Sequence, residues 1–397
     1  MPNPSLAPEL LDLIVELLHS ERDALRSCSL ASRSWVDRAR RVLFSHVEFR
    51  NNREVQSWSK MFWDPETTPA RHARELTVVC SFPVAATNMP WISTFSAVRH
   101  FTLGSCDETS RQFLLFHGFS PVLESLRVLN EDVDPSNLVD LTLSFPLLRD
   151  LEVRVNRIAH RTPPYGWVTE LPDVPLPSRF PALAGTLALD INSGLRHIAP
   201  MLLSPDGSLC VRRLELTVRP NGLEEGDLRS AADLVNQNSS GVKSLKISSC
   251  KVAHYLDGCE VTNVAFSAIP DLRLDLSRAQ NLERLELVCL RSGVEWVTEA
   301  LRTVAPNRRN LDLLLENAEF TPQPPAENHD RQRADLDEML VQLSESHLVR
   351  PKIVYHQDLP EDYIDNMWGE VGRLFPEAMG RGILERTVFP ARWLGTW

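Results

Sequence analysis

Apolar residues change period near residue 75, and the change divides the chain. Before it they recur at three- and four-residue steps, as on helices; after it they alternate in short runs, as on strands. In the first stretch Leu6, Leu10, Ile14 and Leu17/Leu18 form one stripe, while Leu11 and Leu13 leave apolar groups on a second face. Pro8 suits the first helical position because its missing amide would have no intrahelical acceptor, and Glu9 and Asp12 put negative charge at the positive end of the dipole. A second helix is expected from the capping-box-like Ser20-Glu21-Arg22-Asp23, with Leu25, Cys28 and Leu30 as its contacts. A third runs through Trp35, Ala39, Val42 and Leu43, turning Asp37, Arg38, Arg40 and Arg41 to water. Such a trio is near the size below which a domain seldom stands alone. Burying one leucine is worth roughly 1.5–3 kcal/mol, so several left exposed point to an interface. A helical cap over the open end of a larger core satisfies the same periodicity.

From Glu75 onward the runs repeat. Leu76 and Val78, Phe101 and Leu103, Leu126 and Val128, then Leu151 and Val153 follow one another at intervals of 25 residues. Each pair is preceded three residues earlier by Ala73, Val98, Leu123 or Leu148, which is the L-x-x-L-x-L template of leucine-rich repeats. It returns at Val211/Leu214/Leu216, Val242/Leu245/Ile247 and Leu282/Leu285/Leu287, and more weakly at Ala184/Leu187/Leu189, Ile269/Leu272/Leu274 and Arg308/Leu311/Leu313. Cys106, Asn156 and Cys250 fall where the template places a residue that bonds backbone in the interior turn. Segments at Ser110–Phe116, Pro135–Leu143, Glu225–Asn236 and Gly293–Val304 are expected to be helical. One strand and one helix per repeat predicts an α/β fold in which neighbours stack because no unit buries its own apolar face.

Two proline-rich stretches interrupt the pattern. Residues 157–182, with Tyr165 and Trp167, read as a long loop that either binds a partner or packs back on the repeats; Thr321 to Asn328 reads as a hinge or surface loop. Arg331 to His347 carries Leu336, Met339, Leu340 and Leu343 on one helical face and is expected to cap the last repeat. Tyr363, Met367, Trp368, Phe375, Phe389, Trp393 and Trp397 make the C-terminal segment too aromatic for a disordered tail. It either packs over the end of the repeats or joins a substrate surface.

The opening residues resemble the F-box motif. The resemblance rests on Leu6-x-Pro8-Glu9-Leu10-Leu11-x-x-Ile14, on Leu25 to Leu30, and on Ser32-x-x-Trp35, with Ser32 where many members carry cysteine. Together with the repeats, the chain resembles fungal-type F-box proteins with degenerate leucine-rich repeats. The resemblance implies a three-helix F-box over residues 4–45, a linker or capping segment over 46–72, a curved solenoid with a parallel sheet on its concave face over 73–320, and a helical capping region over 321–397. It implies docking on a Skp-type adaptor, and through it on a cullin-RING ubiquitin ligase, by Leu6, Pro8, Leu10, Ile14, Leu18, Leu25, Leu30 and Trp35. The substrate would be a protein that the sequence does not identify.

Composition changes this picture little. The chain has 397 residues, 43% of them apolar, and a net charge of −11 that argues against phosphate-backbone binding as its main task. No signal segment or run of eighteen apolar residues is present, and the seven cysteines are odd in number without a CxxC pair, so reduced thiols in the cytoplasm or nucleus and no membrane span are expected. There is no GxSxG elbow, phosphate loop, GxGxxG fingerprint or HExxH pair, and His46, His72, His100, His117, His160 and His197 are scattered. No enzymatic role, cofactor or metal is expected. The readings are a substrate-recognition subunit, a repeat scaffold with no link to ubiquitin, and an enzyme whose site is assembled from distant residues. Between the apolar strand positions, Thr77, Thr102, Arg127, Glu152, Glu215, Lys246 and Glu286 should share the concave face, and their mixed sign defines no ligand class.

Overall fold

A computed structural model describes residues 7–31, 33–62, 64, 66, 68–80, 90–104, 110, 113–115, 117–133, 135–158, 183–191, 195–202, 211–218, 225–238, 240–249, 273–288, 294–304, 311–316, 327–347, 351–356 and 360–389. The chain is mixed α/β and divides into two compact units, Met1–Ala182 and Leu183–Trp397.

The first unit opens with three helices, α1 (Pro8–Leu17), α2 (Arg22–Ala31) and α3 (Arg33–Leu43). Strand β1 (His46–Phe49) and helix α4 (Asn52–Met61) follow, then β2 (Glu75–Val78), β3 (His100–Leu103), β4 (Ser125–Val133), α5 (Pro135–Ser144) and β5 (Asp150–Ile158). Asn51 caps α4, its side chain accepting the Arg53 and Glu54 amides at 3.1 Å each, while Glu54 accepts the Arg50 amide at 2.7 Å. The five strands pair in sequence order and in parallel. Leu76, Phe101, Leu126 and Leu151 sit side by side in register, each about 1% exposed, as the 25-residue spacing predicts.

The second unit contains, in order, β6 (Thr186–Ile191), α6 (Leu195–Leu202), β7 (Arg213–Val218), α7 (Glu225–Asn238), β8 (Ser244–Ser249), β9 (Arg284–Val288), α8 (Val294–Thr303) and β10 (Asp312–Glu316). It ends with α9 (Glu327–His347), β11 (Lys352–His356), α10 (Glu361–Leu374), α11 (Pro376–Gly380) and β12 (Glu385–Phe389). These seven strands are also parallel and paired in sequence order.

One backbone device marks the start of the repeats in both units. A single carbonyl just before a strand accepts the two successive amides that enter the next strand. The Arg74 oxygen takes the Arg99 and His100 amides at 2.8 and 3.1 Å, and the Arg99 oxygen takes those of Glu124 and Ser125 at 2.9 Å each. In the second unit the Arg212 oxygen takes Lys243 and Ser244 at 2.8 and 3.0 Å, and the Lys243 oxygen takes Glu283 and Arg284 at 2.7 and 3.0 Å. Both lone pairs of one oxygen are used, so successive strands enter the sheet at one level whatever the length between them. At the opposite end of this strand pair the Gly104 amide bonds the Val78 oxygen at 2.6 Å, and a Cβ there would lie 2.2 Å from the Val79 oxygen.

Several expectations change. Residues 46–72 are more than a linker, because β1 pairs in register with β2 and buries Val47 and Phe49. Residues 321–397 are more than helical, because β11 and β12 extend the sheet from β10. The weak copy ending at Leu274 forms no strand over its described residues, and β8 pairs directly with β9. The copy at Leu311/Leu313 is shifted by two: Leu285 and Leu287 pair with Leu313 and Leu315. Leu183, buried, takes the place expected of the exposed Ala184. Asn156 lies within β5 and not in a turn, while Cys106, Cys250 and the 159–182 part of the proline-rich loop lie outside the described residues. Helix α2 starts at Arg22, so the capping position falls to Glu21, whose oxygen accepts the Leu25 amide at 3.0 Å, rather than to Ser20.

The expected amphipathic helix at the C-terminal end is present as α9, with Leu336, Leu340 and Leu343 buried. On it the buried Asp337 accepts the Glu377 and Ala378 amides at 2.9 Å each, closing the N-terminus of α11 from a separate helix. Asp337→Ala leaves both amides without an acceptor in a buried place and is expected to cost about 1–3 kcal/mol. A fall in the denaturation midpoint matched by faster proteolysis near residue 376 checks this; an unchanged midpoint would reject the capping role.

Candidate functional site

The N-terminal helices hold together through a small interior. Leu11, Val15, Leu25 and Ala39 are buried, and Arg38 of α3 donates from Nε to Asp12 Oδ1 of α1 at 2.6 Å. This interior uses one side of α1 only. On the other side Leu10, Leu13 and Leu17 are 49, 51 and 72% exposed, and Leu30 on α2 is 87% exposed. Leu10, Leu13 and Leu17 follow the three- and four-residue spacing of one helical face, so their exposed surfaces adjoin. These three form an apolar patch of the kind that marks an interaction site, and Leu30 adds a further exposed leucine on α2.

The eight residues expected at an adaptor interface divide by position. Leu10 and Leu30 are exposed, Ile14, Leu18 and Trp35 are half-buried, and Leu25 is 1% exposed and so belongs to the interior. Pro8 opens α1 at its first turn, and Leu6 lies outside the described residues. Leu13 and Leu17 were not among the eight, although their apolar character on a helix already filled by Leu11 and Val15 is the signal that finds them.

The segments that follow the trio pack through aromatic rings. Phe49 packs edge-on against Trp58, Trp91 and Phe95 with centroids 5.4, 5.9 and 6.4 Å apart, and Phe44, just after α3, meets Trp58 at 6.4 Å. Arg71 reaches Asp37 of α3 at 3.4 Å. Burial pushes the neighbouring His72 imidazole below its usual range, and Arg71, Arg41 and Arg40 add to this against Asp37. His72 is therefore neutral at pH 7, and the positive charge around α3 is that of its arginines.

The polar strand residues form cross-strand pairs. In the first unit Thr77, Thr102, Arg127 and Glu152 are in register, and Arg127 holds Glu152 through Nε at 2.8 Å and Nη2 at 2.9 Å. In the second, Glu215, Lys246 and Glu286 are in register, with Lys246 paired to Glu286 and Arg213 to Glu215 at 2.6 Å. Glu215 and Glu286 are 8 and 5% exposed, a burial that charges tolerate only when paired. The expected mixed-sign face is thus internally neutralised. Leu314 and Val354 interrupt it, because β10 and β11 bury both faces.

Among the described residues no cluster of three metal-ligating side chains occurs, and no helix is long and apolar enough to cross a membrane. Compared with known proteins, the chain matches no family model and no curated protein.

Proposed function

We propose that the protein is the substrate-recognition subunit of a Skp-cullin-F-box ubiquitin ligase, with α1 to α3 as an F-box and the parallel strand repeats as a leucine-rich-repeat receptor. The observation that carries the reading is the exposed row of Leu10, Leu13 and Leu17 on α1, with Leu30 exposed on α2, in a three-helix module whose own interior is already filled by Leu11, Val15 and Leu25. A helical cap would turn such leucines into the chain, whereas here they face solvent. A second support is the order of the parts: an interaction module precedes a repeat body built of sequentially paired parallel strands. No catalytic residue is required in this role. The subunit raises the effective concentration of a bound protein substrate near a ubiquitin-charged enzyme, in the cytoplasm or nucleus.

The test is co-purification with a Skp-type adaptor. Wild type is expected to retain it, and Leu10→Asp with Leu17→Asp to lose it. Two exposed anchors worth about 2 kcal/mol each correspond to a loss of roughly 1,000-fold in affinity. Both side chains are exposed, so the circular dichroism of the double variant should match wild type. Wild type that never retains the adaptor would refute the reading and leave the repeat scaffold with no ubiquitin link.

A further inference from the structure

The chain carries a net charge of −11, yet four arginines line one groove of about 670 Å3 between α2, α3, β1 and α4. Arg22, Arg26 and Ser29 stand on one face of α2, Arg40 comes from α3, and Arg50 follows β1. The same groove is lined by Leu43, Phe44, Val47 and Trp58. Its two carboxylates are already engaged. Glu48 accepts Arg50 Nε at 2.9 Å and Nη2 at 3.1 Å, and Glu54 accepts the Arg50 amide and closes the cap of α4. Among the described residues the Arg26 guanidinium has only the exposed Asp23 as a partner, at 2.9 Å, a pairing worth little in water. The guanidinium groups of Arg22 and Arg40 make no hydrogen bond or ion pair among the described residues, and both side chains are exposed. The positive field is felt at Glu48, whose carboxyl is held below its usual range, first by the hydrogen bond from Arg50 and further by the charges of Arg50, His46 and Arg22, against burial.

We propose that this groove binds an extended acidic peptide segment of a partner protein, with carboxylates at alternate positions on Arg22 and Arg26 and an apolar side chain between them against Leu43, Phe44 and Trp58. The spacing argues for this occupant. Residues four apart on a helix are about 6 Å apart along its axis, and alternate side chains of an extended peptide are about 6.6 Å apart and share a side. Guanidinium groups hold carboxylates bidentately, and Arg40 supplies a further cation on the α3 side. Cations spread along a wall suit several separate carboxylates better than one phosphate, and an apolar lining does not suit a nucleic-acid backbone. The inference stands apart from the adaptor reading, since the groove shares no residue with the leucine patch.

Fluorescein-labelled octapeptides with Glu-Leu-Glu, Gln-Leu-Gln, Glu-Glu-Leu or a single phosphothreonine in a Gly-Ser background test it by anisotropy on the full chain. Glu-Leu-Glu is expected to bind at least about 10-fold more tightly than Gln-Leu-Gln and better than Glu-Glu-Leu, and to weaken as salt rises from about 50 to 300 mM. Arg22→Gln with Arg40→Gln should lower its affinity about 10-fold at unchanged circular dichroism. Equal binding of Gln-Leu-Gln, full affinity in the arginine variant, or no peptide binding would overturn the proposal. So would preference for the phosphothreonine peptide, or arginine-dependent binding only to vesicles containing phosphatidylserine.

Discussion

Trp91→Ala is expected to destabilise the first unit by about 3–5 kcal/mol, which is a fifth or more of the roughly 5–15 kcal/mol stability of an ordinary domain. Trp91 is fully buried on the short 3₁₀ turn Pro90–Thr94, where Thr94 donates to its oxygen at 2.5 Å. Its indole meets Phe49, Phe95 and Phe113 with centroids 5.9, 6.0 and 5.8 Å apart, so it joins β1, its own turn and the segment before Gly118. Alanine leaves a void among rings that cannot close up, since each is also held elsewhere: Phe49 by Trp58, Phe95 by Trp58 and Phe113 by His117. Leu17→Ala is the control, because a side chain 72% exposed loses little by truncation. Urea titration followed by far-ultraviolet circular dichroism should separate the two variants widely. Midpoints shifted equally would mean that the aromatic cluster does not hold the unit together.

The two units differ in how far their strands can be read from sequence, for a physical reason. From β2 to β5 every join adds the same number of residues, so the apolar pairs coincide when the chain is compared with itself. In the second unit Thr186 pairs with Arg213, Arg213 with Ser244, and Ser244 with Arg284, a widening interval that leaves only the local L-x-x-L-x-L pattern. Even that fails at β10, where Leu313, Leu314 and Leu315 are all buried and a period of two has no phase. At the far edge, β12 puts Arg386 and Val388 opposite Ile353 and Tyr355, so its template positions carry a charge and an exposed valine. Strand β1 was legible in principle, since Phe44, Val47 and Phe49 fit the template. The helical spacing of α3 runs directly into it and hides the change of period. At the site, the outward leucines follow from too many apolar residues on one short helix. The arginine groove does not, because Arg22, Arg26 and Arg40 individually look like the wet face of ordinary helices, and only the fold gathers them.

The reading of β1 sets the second large expectation, that the body begins at Phe44 and not at Ala73. A chain starting at Phe44 keeps the full pairing of β1 with β2, from His46 opposite Glu75 to Phe49 opposite Val78. It also keeps the Ser45 oxygen that accepts the Arg74 and Glu75 amides at 2.8 and 2.9 Å. That chain is expected to be soluble and monomeric. A chain starting at Ala73 loses those acceptors and strips Phe49 and Trp58 from Trp91 and Phe95, while α4 goes with its buried Val55. What remains is a parallel edge with open backbone groups above a bared aromatic cluster, the combination that drives edge-to-edge aggregation. Size-exclusion chromatography should show the first chain as a monomer and the second as aggregate or as insoluble protein. If the Ala73 chain is monomeric with the same melting temperature as the Phe44 chain, β1 and α4 are dispensable and the repeats do begin where the 25-residue period begins. If instead the Phe44 chain also aggregates, the inner sides of α1 to α3 cover part of the body, and the body does not stand alone from Phe44.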